Sequence, residues 1–178
     1  MEQALPDFEQ TDGLTNISLR YFNATGAKSD ASLGEQHQPE THLIPLAIAA
    51  AMSSGPPLTI FDSDYDTPDG CCVPDYVHVV DMCEAHLLAL NHLVAGAASD
   101  TLNLGSGCGH SVREVMDTVA NVTGRLVPHI FAQRPPGDPP SLVADISRAG
   151  QLLEWTPTRS SFERIVGYAA RWHCRNPE

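Results

Sequence analysis

Basic residues are scarce in this chain. Lys and Arg number 10 against 22 Asp and Glu, a formal net charge of −12 over 178 residues. Surfaces that grip phosphate backbones are built from clustered Lys and Arg, so a nucleic-acid-binding role is excluded. Long apolar runs are missing too: no window approaches the roughly 20 residues a membrane span requires. The acidic start, MEQALPDFEQ, has the character of neither a secretory signal nor an anchor. The expectation is a cytoplasmic protein with no membrane partner. No C-x-x-C pair occurs among the cysteines at 71, 72, 83, 108 and 174. That removes a disulfide framework and a zinc ribbon, and the thiols are expected to be reduced and packed as small apolar residues. What remains is ordinary globular material, 42% hydrophobic, enough for one ordinary domain with a real core.

Residues 58–81, LTIFDSDYDTPDGCCVPDYVHVVD, organise the rest. Leu58-Thr59-Ile60-Phe61 and Tyr76-Val77-His78-Val79-Val80 each read as a short strand. Between them the density of Asp, Pro and Gly predicts a shaped surface loop, the usual carrier of function. Upstream, residues 2–12 have helical composition, with Pro6 in the first turn and Gly13 as C-cap, and 16–22 alternate as a strand ending at Asn23. A helix is predicted over 41–54 with Thr41 as N-cap, and another from Asp81 to Ala95 with Ala85, Leu87 and Leu88 on its apolar side. After the strand at 101–104, a glycine turn enters a helix opened by a Ser111/Glu114 capping box. A proline-rich loop covers 131–145. Two short helices follow, one opened near Asp145 and one by Ser160 with Glu163 as a second capping box, the last helix packing through Phe162, Ile165, Val166 and Ala169.

Four stretches carry a resemblance: Leu19-Arg20-Tyr21-Phe22-Asn23 with Gly26, Pro39-Glu40-Thr41-His42-Leu43-Ile44-Pro45, the 58–81 segment, and Leu102-Asn103-Leu104-Gly105-Ser106-Gly107. Together with the Gly137-Asp138-Pro139 region they resemble, in order, the C-terminal portion of UDP-glucose 4-epimerases, which are NAD-dependent extended short-chain dehydrogenase/reductases. The resemblance implies an α/β fold: the substrate-binding part of such an enzyme with an incomplete Rossmann domain. It divides the chain into residues 1–26, a remnant of the NAD-binding domain, and 27–178, the UDP-sugar domain. It implies interconversion of UDP-galactose and UDP-glucose, with Asn23, His42, Leu43, Thr59, Phe61, Tyr76, Arg134, Asp138 and Leu142 on the nucleotide sugar. As an aromatic closing a short strand, Phe61 reads either as a platform for uracil, with backbone groups of Thr59 and Phe61 reading the base edge, or as a core residue; the resemblance implies that bulk near Leu142 would govern acceptance of N-acetylated hexoses. Tyr21 and Phe22 would lie near the nicotinamide of NAD. As partners it implies a homodimer for the full-length family and, for this chain, self-association or a complementary N-terminal half.

The same comparison marks what is lacking. No Tyr-x-x-x-Lys and no G-x-x-G-x-x-G occurs, so no catalytic residue is assigned and the chain alone is expected to be inactive; the family's Tyr/Lys helix would end just before Met1. Pro74 and Pro135 stand where the family has arginines that grip the diphosphate. Two such charge-assisted contacts are worth about 1.5–3 kcal/mol each, so their loss would weaken binding by roughly a hundredfold or more. A non-catalytic remnant, or another nucleotide-sugar epimerase or dehydratase, are the rival readings. Two other patterns fail. The 105–109 turn lacks the third glycine of a dinucleotide motif, where His110 stands, and no acidic ribose ligand follows its helix. Asp62-x-Asp64-x-Asp66 opens like a calcium loop, but Thr67 and Val73 occupy the positions of the required Gly and Glu. With Cys83-x-x-His86 alone on a helix, no metal is expected.

Overall fold

The structure, a computed structural model, describes residues 2–61, 64–133, 137 and 139–176. After a 3-10 turn at Glu2–Ala4 the elements are α1 (Leu5–Asp12), β1 (Ile17–Tyr21), β2 (Asn23–Thr25), α2 (Leu43–Met52), β3 (Leu58–Phe61), β4 (Val73–Pro74) and β5 (Tyr76–His78). There follow α3 (Val79–Val94), β6 (Asp100–Leu104), α4 (Val112–Thr123), β7 (His129–Ala132), β8 (Ser141–Leu142), α5 (Ser147–Leu153) and α6 (Phe162–Arg175). The strands pair as β1–β6, β2–β5, β3–β7 and β4–β8, every pair parallel. All-parallel pairing with intervening helices is the α/β architecture the sequence indicated.

Two apolar clusters hold these elements. In one, Leu102 and Leu104 of β6 meet Val77, Ala85, Ala89, Ala149, Leu153 and Trp155, with Ile17, Leu19 and Ala24 against them. In the other, α2, α4 and α6 close over β3 through Ile44, Ile48, Ile60, Val115, Val119, Phe162, Ile165 and Val166. Burying side chains of this size contributes about 1.5–3 kcal/mol each. The clusters interleave along the chain, so the unit that packs residues 17–24 extends through α3, β6 and α5.

The element boundaries show where local signals were overruled. The expected strand 16–22 ends at Tyr21, paired with Leu104; after a bend at Phe22 the chain changes partner, and Asn23 pairs with Tyr76. Thr41 is not the cap of α2. His42 occupies the N-cap position without a side-chain cap bond, and the Glu40 carboxylate takes the Thr41 and His42 N–H groups instead. Helix α3 begins two residues before Asp81 because His78 caps it, Nδ1 accepting from Val80 N–H at 3.1 Å. Its buried stripe is Asp81, Ala85 and Ala89, while Leu87 is 62% exposed and Leu88 is also outside. The Ser111/Glu114 capping box forms as expected. The Ser160/Glu163 box does not: α6 starts at Phe162 with Ser161 as an uncapped N-cap, because the Ser160 hydroxyl donates to Asp81 at 2.7 Å and accepts from the His78 N–H. Of the five cysteines, none in a disulfide, only Cys71 is buried, and Cys83, Cys108 and Cys174 are exposed, which corrects the expectation of packed thiols.

Candidate functional site

In a parallel sheet, ligands gather where strands end at their carboxyl edges. Tyr21 ends β1 and Leu104 ends β6, and the chain beyond each is tied together by one residue, Asp75, through its carbonyl and its carboxylate. This residue is fully buried. Its carboxylate accepts from Ser106 N–H at 2.9 Å, Ser106 Oγ at 2.6 Å, Gly107 N–H at 3.1 Å and Ala144 N–H at 3.1 Å. Its carbonyl accepts from Asn23 Nδ2 at 2.7 Å. A Cβ on Gly105 would stand 2.3 Å from Asp75 Oδ2, so glycine is needed there to admit the carboxylate. The glycine turn therefore holds an anion, but the anion belongs to the chain itself. That gives a physical reason why 105–107 offers no phosphate cradle. Asp75 went unnoticed in the sequence, although an acid set between two apolar strand segments is a signal of a buried, satisfied carboxylate.

Strand β3 alternates. Leu58 and Ile60 are buried, while Thr59 is exposed and Phe61 is 50% exposed. A period of two thus puts Thr59 and Phe61 together on an open face. Leu142, 48% exposed, pairs in β8 with Pro74 of β4. Proline is accommodated there because the ladder draws on the flanking donors: Val73 N–H to Pro140 O at 2.9 Å and Asp75 N–H to Leu142 O at 3.0 Å. In the described part of the acidic loop, residues 64–72, Asp69 and Thr67 make the holding contacts. Asp69 accepts from Ser111 Oγ at 2.5 Å and from Cys71 N–H at 3.0 Å, and Thr67 Oγ1 donates to Cys71 O at 2.7 Å. Burial works to raise the Asp69 pKa, but the Ser111 and Cys71 hydrogen bonds outweigh it and hold the carboxyl below its ordinary value.

Tyr76 is placed differently from the residues around it. It is 4% exposed, its ring lies 5.3 Å from that of Phe162, and burial pushes its phenol well above the usual range. It belongs to the core. Tyr21 is 48% exposed, 6.5 Å from the His86 ring, and Phe22 is half-buried. Beside β2 a cleft of about 420 Å³ is lined by Ala24, Gly26, Lys28, Leu33, Val79 and Cys83. His42 and Leu43 open α2, with the His42 ring 2.9 Å from both Glu35 and Glu40 carboxylates. Desolvation raises the Glu35 pKa; at Glu40 desolvation is overcome by hydrogen bonds from His42 and Thr41, and its pKa falls. Arg134, Pro135 and Asp138 lie outside the described residues, as does Asp62 of the acidic loop.

The profile of the NAD dependent epimerase/dehydratase family matches residues 1–105, more than half of the 178. The chain belongs to the NAD dependent epimerase/dehydratase family. Within it, a UDP-glucose 4-epimerase of Azospirillum brasilense is 47% identical over 171 residues, 96% of this chain and 49% of that protein. One of Lactobacillus helveticus is 43% identical over 178 residues, all of this chain and 54% of the relative. Among solved structures, UDP-glucose 4-epimerase from Brucella ovis in complex with NAD superposes with a TM-score of 0.92 at 44% identity, covering 96% of this chain and 52% of that one. The enzyme from Bifidobacterium longum in complex with NAD+ and UDP gives 0.91 at 33% identity, covering 99% and 52%. The chain spans about half the length of the curated relatives it matches. Among the described residues no helix is long and apolar enough to cross a membrane.

Proposed function

We propose that this chain is the nucleotide-sugar-holding part of a UDP-glucose 4-epimerase, serving the interconversion of UDP-galactose and UDP-glucose in the cytoplasm. The observation that carries the reading is the alternation of β3, which leaves Thr59 and Phe61 on an open face while their neighbours pack inward. In this reading the Phe61 ring stacks on uracil, Leu142 borders the sugar, and the second Asn23 amide hydrogen remains for a ligand after the bond to Asp75 O. His42 and Leu43 approach from the start of α2, and Arg134 and Asp138, outside the described residues, belong to the set by resemblance alone. Tyr76 is left out of the contact set because its hydroxyl is buried.

NAD, held by the Brucella ovis relative, fits this chain poorly. Among the described residues, the glycine turn after β6 that could cradle a diphosphate has its Ser106 and Gly107 N–H groups committed to Asp75. Contact would be confined to Tyr21 and Phe22, and with no Tyr-x-x-x-Lys in the sequence no redox or proton-transfer step is assigned here. Turnover requires a complementary N-terminal half with those groups, and the test is direct: mix the two and assay UDP-galactose conversion. The chain alone should be silent and the mixture active. A second reading, a nucleotide-binding chain without turnover, is favoured by Pro74, which offers no charge where an arginine would grip diphosphate. UDP binding without activity in the mixture would select it.

A further inference from the structure

The segment between β2 and α2 crosses α6, and three α6 side chains hold its backbone. Trp172 Nε1 donates to Glu35 O at 2.9 Å, Arg171 to Ser29 O at 2.6 Å and Arg175 to Asp30 O at 2.5 Å. Gly34 lies against the indole: a Cβ there would stand 2.3 Å from Trp172 Cγ, so no other residue allows this approach. Glu35 is thereby fixed by neighbours on a regular helix, the kind of support a binding constellation needs.

Glu40 and His42 converge on it. His42 Nδ1 lies 2.9 Å from Oε1 of Glu35 and 2.9 Å from Oε1 of Glu40, and one donor atom from each of the three residues lies within 4.8 Å of the others. Two donors each about 2.1 Å from a shared ion and at right angles are about 3 Å apart, so the spacing is that of ligands around one cation. Glu40 Oε1 also accepts from the Thr41 and His42 N–H groups, both at 2.7 Å, which fixes the orientation of the carboxylate and, among the described residues, leaves Oε2 as its free oxygen. A second imidazole, His37, packs edge-on against His42 with ring centroids 5.3 Å apart. Among the described residues no Lys or Arg forms an ion pair with Glu35 or Glu40; the ring that lies against both carboxylates is that of His42.

We propose that Glu35, Glu40 and His42 form a binding site for one divalent first-row transition ion. The mixed imidazole and carboxylate set favours zinc, cobalt, iron or manganese over magnesium, which prefers oxygen alone. Three protein donors leave the remaining positions to water. The Glu-x4-Glu-x-His spacing copies no local metal motif, and only the fold over Trp172 brings the donors together.

Cobalt(II) titration of the whole purified chain, read by visible absorption and calorimetry, tests this. The expected result is one site of micromolar affinity with the weak absorption of a nitrogen and oxygen ligand set. Glu35→Gln or His42→Ala should weaken it at least tenfold, and Cys83→Ser with Cys174→Ser should leave it unchanged. An intense thiolate-to-cobalt band, an affinity indifferent to Glu35→Gln and His42→Ala, or no binding at millimolar cobalt would overturn the proposal. The spectrum of the unsubstituted chain decides between these outcomes even if a variant fails to fold.

Discussion

At the turn after β6, the Ser106 and Gly107 N–H groups point at a carboxylate the chain itself supplies; at the end of β3, the Thr59 and Phe61 side chains face solvent. The first region has the glycine-rich look of a nucleotide loop and is closed. The second has only a short apolar run in its favour and is open. A glycine turn reports that something approaches the backbone closely, and here that something is Asp75. Motif appearance and ligand capacity are separate properties, and burial tells them apart.

The largest effect should come from breaking the closed region. Asp75→Ala leaves the Ser106, Gly107 and Ala144 N–H groups without their acceptor and should cost about 3–5 kcal/mol, read as a shift of the urea midpoint; a change below about 1 kcal/mol would show that the turn does not depend on the carboxylate. Pro74→Arg acts on the open side. Restoring one charge-assisted grip on diphosphate should tighten UDP binding about tenfold or more, worth about 1.5–3 kcal/mol, measured by calorimetry. Ser111→Ala lies between the two regions, since its hydroxyl caps α4 and donates to Asp69. It should cost about 1 kcal/mol of stability, read by thermal unfolding, and a neutral result would detach the acidic loop from α4.

The smallest effect concerns pH. Burial lowers the His78 pKa below its ordinary 6.5, so the unfolded chain binds a proton that the folded chain refuses. Stability from this group is therefore full above about pH 6.5 and is lost as pH falls from there toward the folded value. Comparing melting temperatures at pH 7.5 and 5.5, His78→Asn should show a smaller acid loss than the unsubstituted chain. Equal losses would place the titration elsewhere.

Much of the fold was legible because it is local. The β3 run, the Ser111/Glu114 box, Gly13 as a C-cap and the α6 stripe Phe162, Ile165, Val166 and Ala169 each follow from spacing within a few residues. What misled were residues whose partners are distant. Ser160 has the spacing of a capping box, yet its hydroxyl goes to Asp81, 79 positions away. Thr41 yields its role to Glu40, and Leu87 and Leu88 look like core but lie outside because the small residues Ala85 and Ala89 meet β6. Of the candidate site, the strand that carries Thr59 and Phe61 was readable, but not which of its residues face outward; nor was the burial of Tyr76 beneath Phe162, since a tyrosine at the start of a strand faces in or out according to packing that the local sequence does not encode.

Titration of UDP into the chain and into its Phe61→Ala variant puts the central claim to trial. The ring is half exposed, so the substitution should leave the unfolding transition nearly where it was. The account expects measurable UDP binding by the unsubstituted chain that weakens at least tenfold in the variant. No heat with the unsubstituted chain, or equal affinity in both, would contradict it.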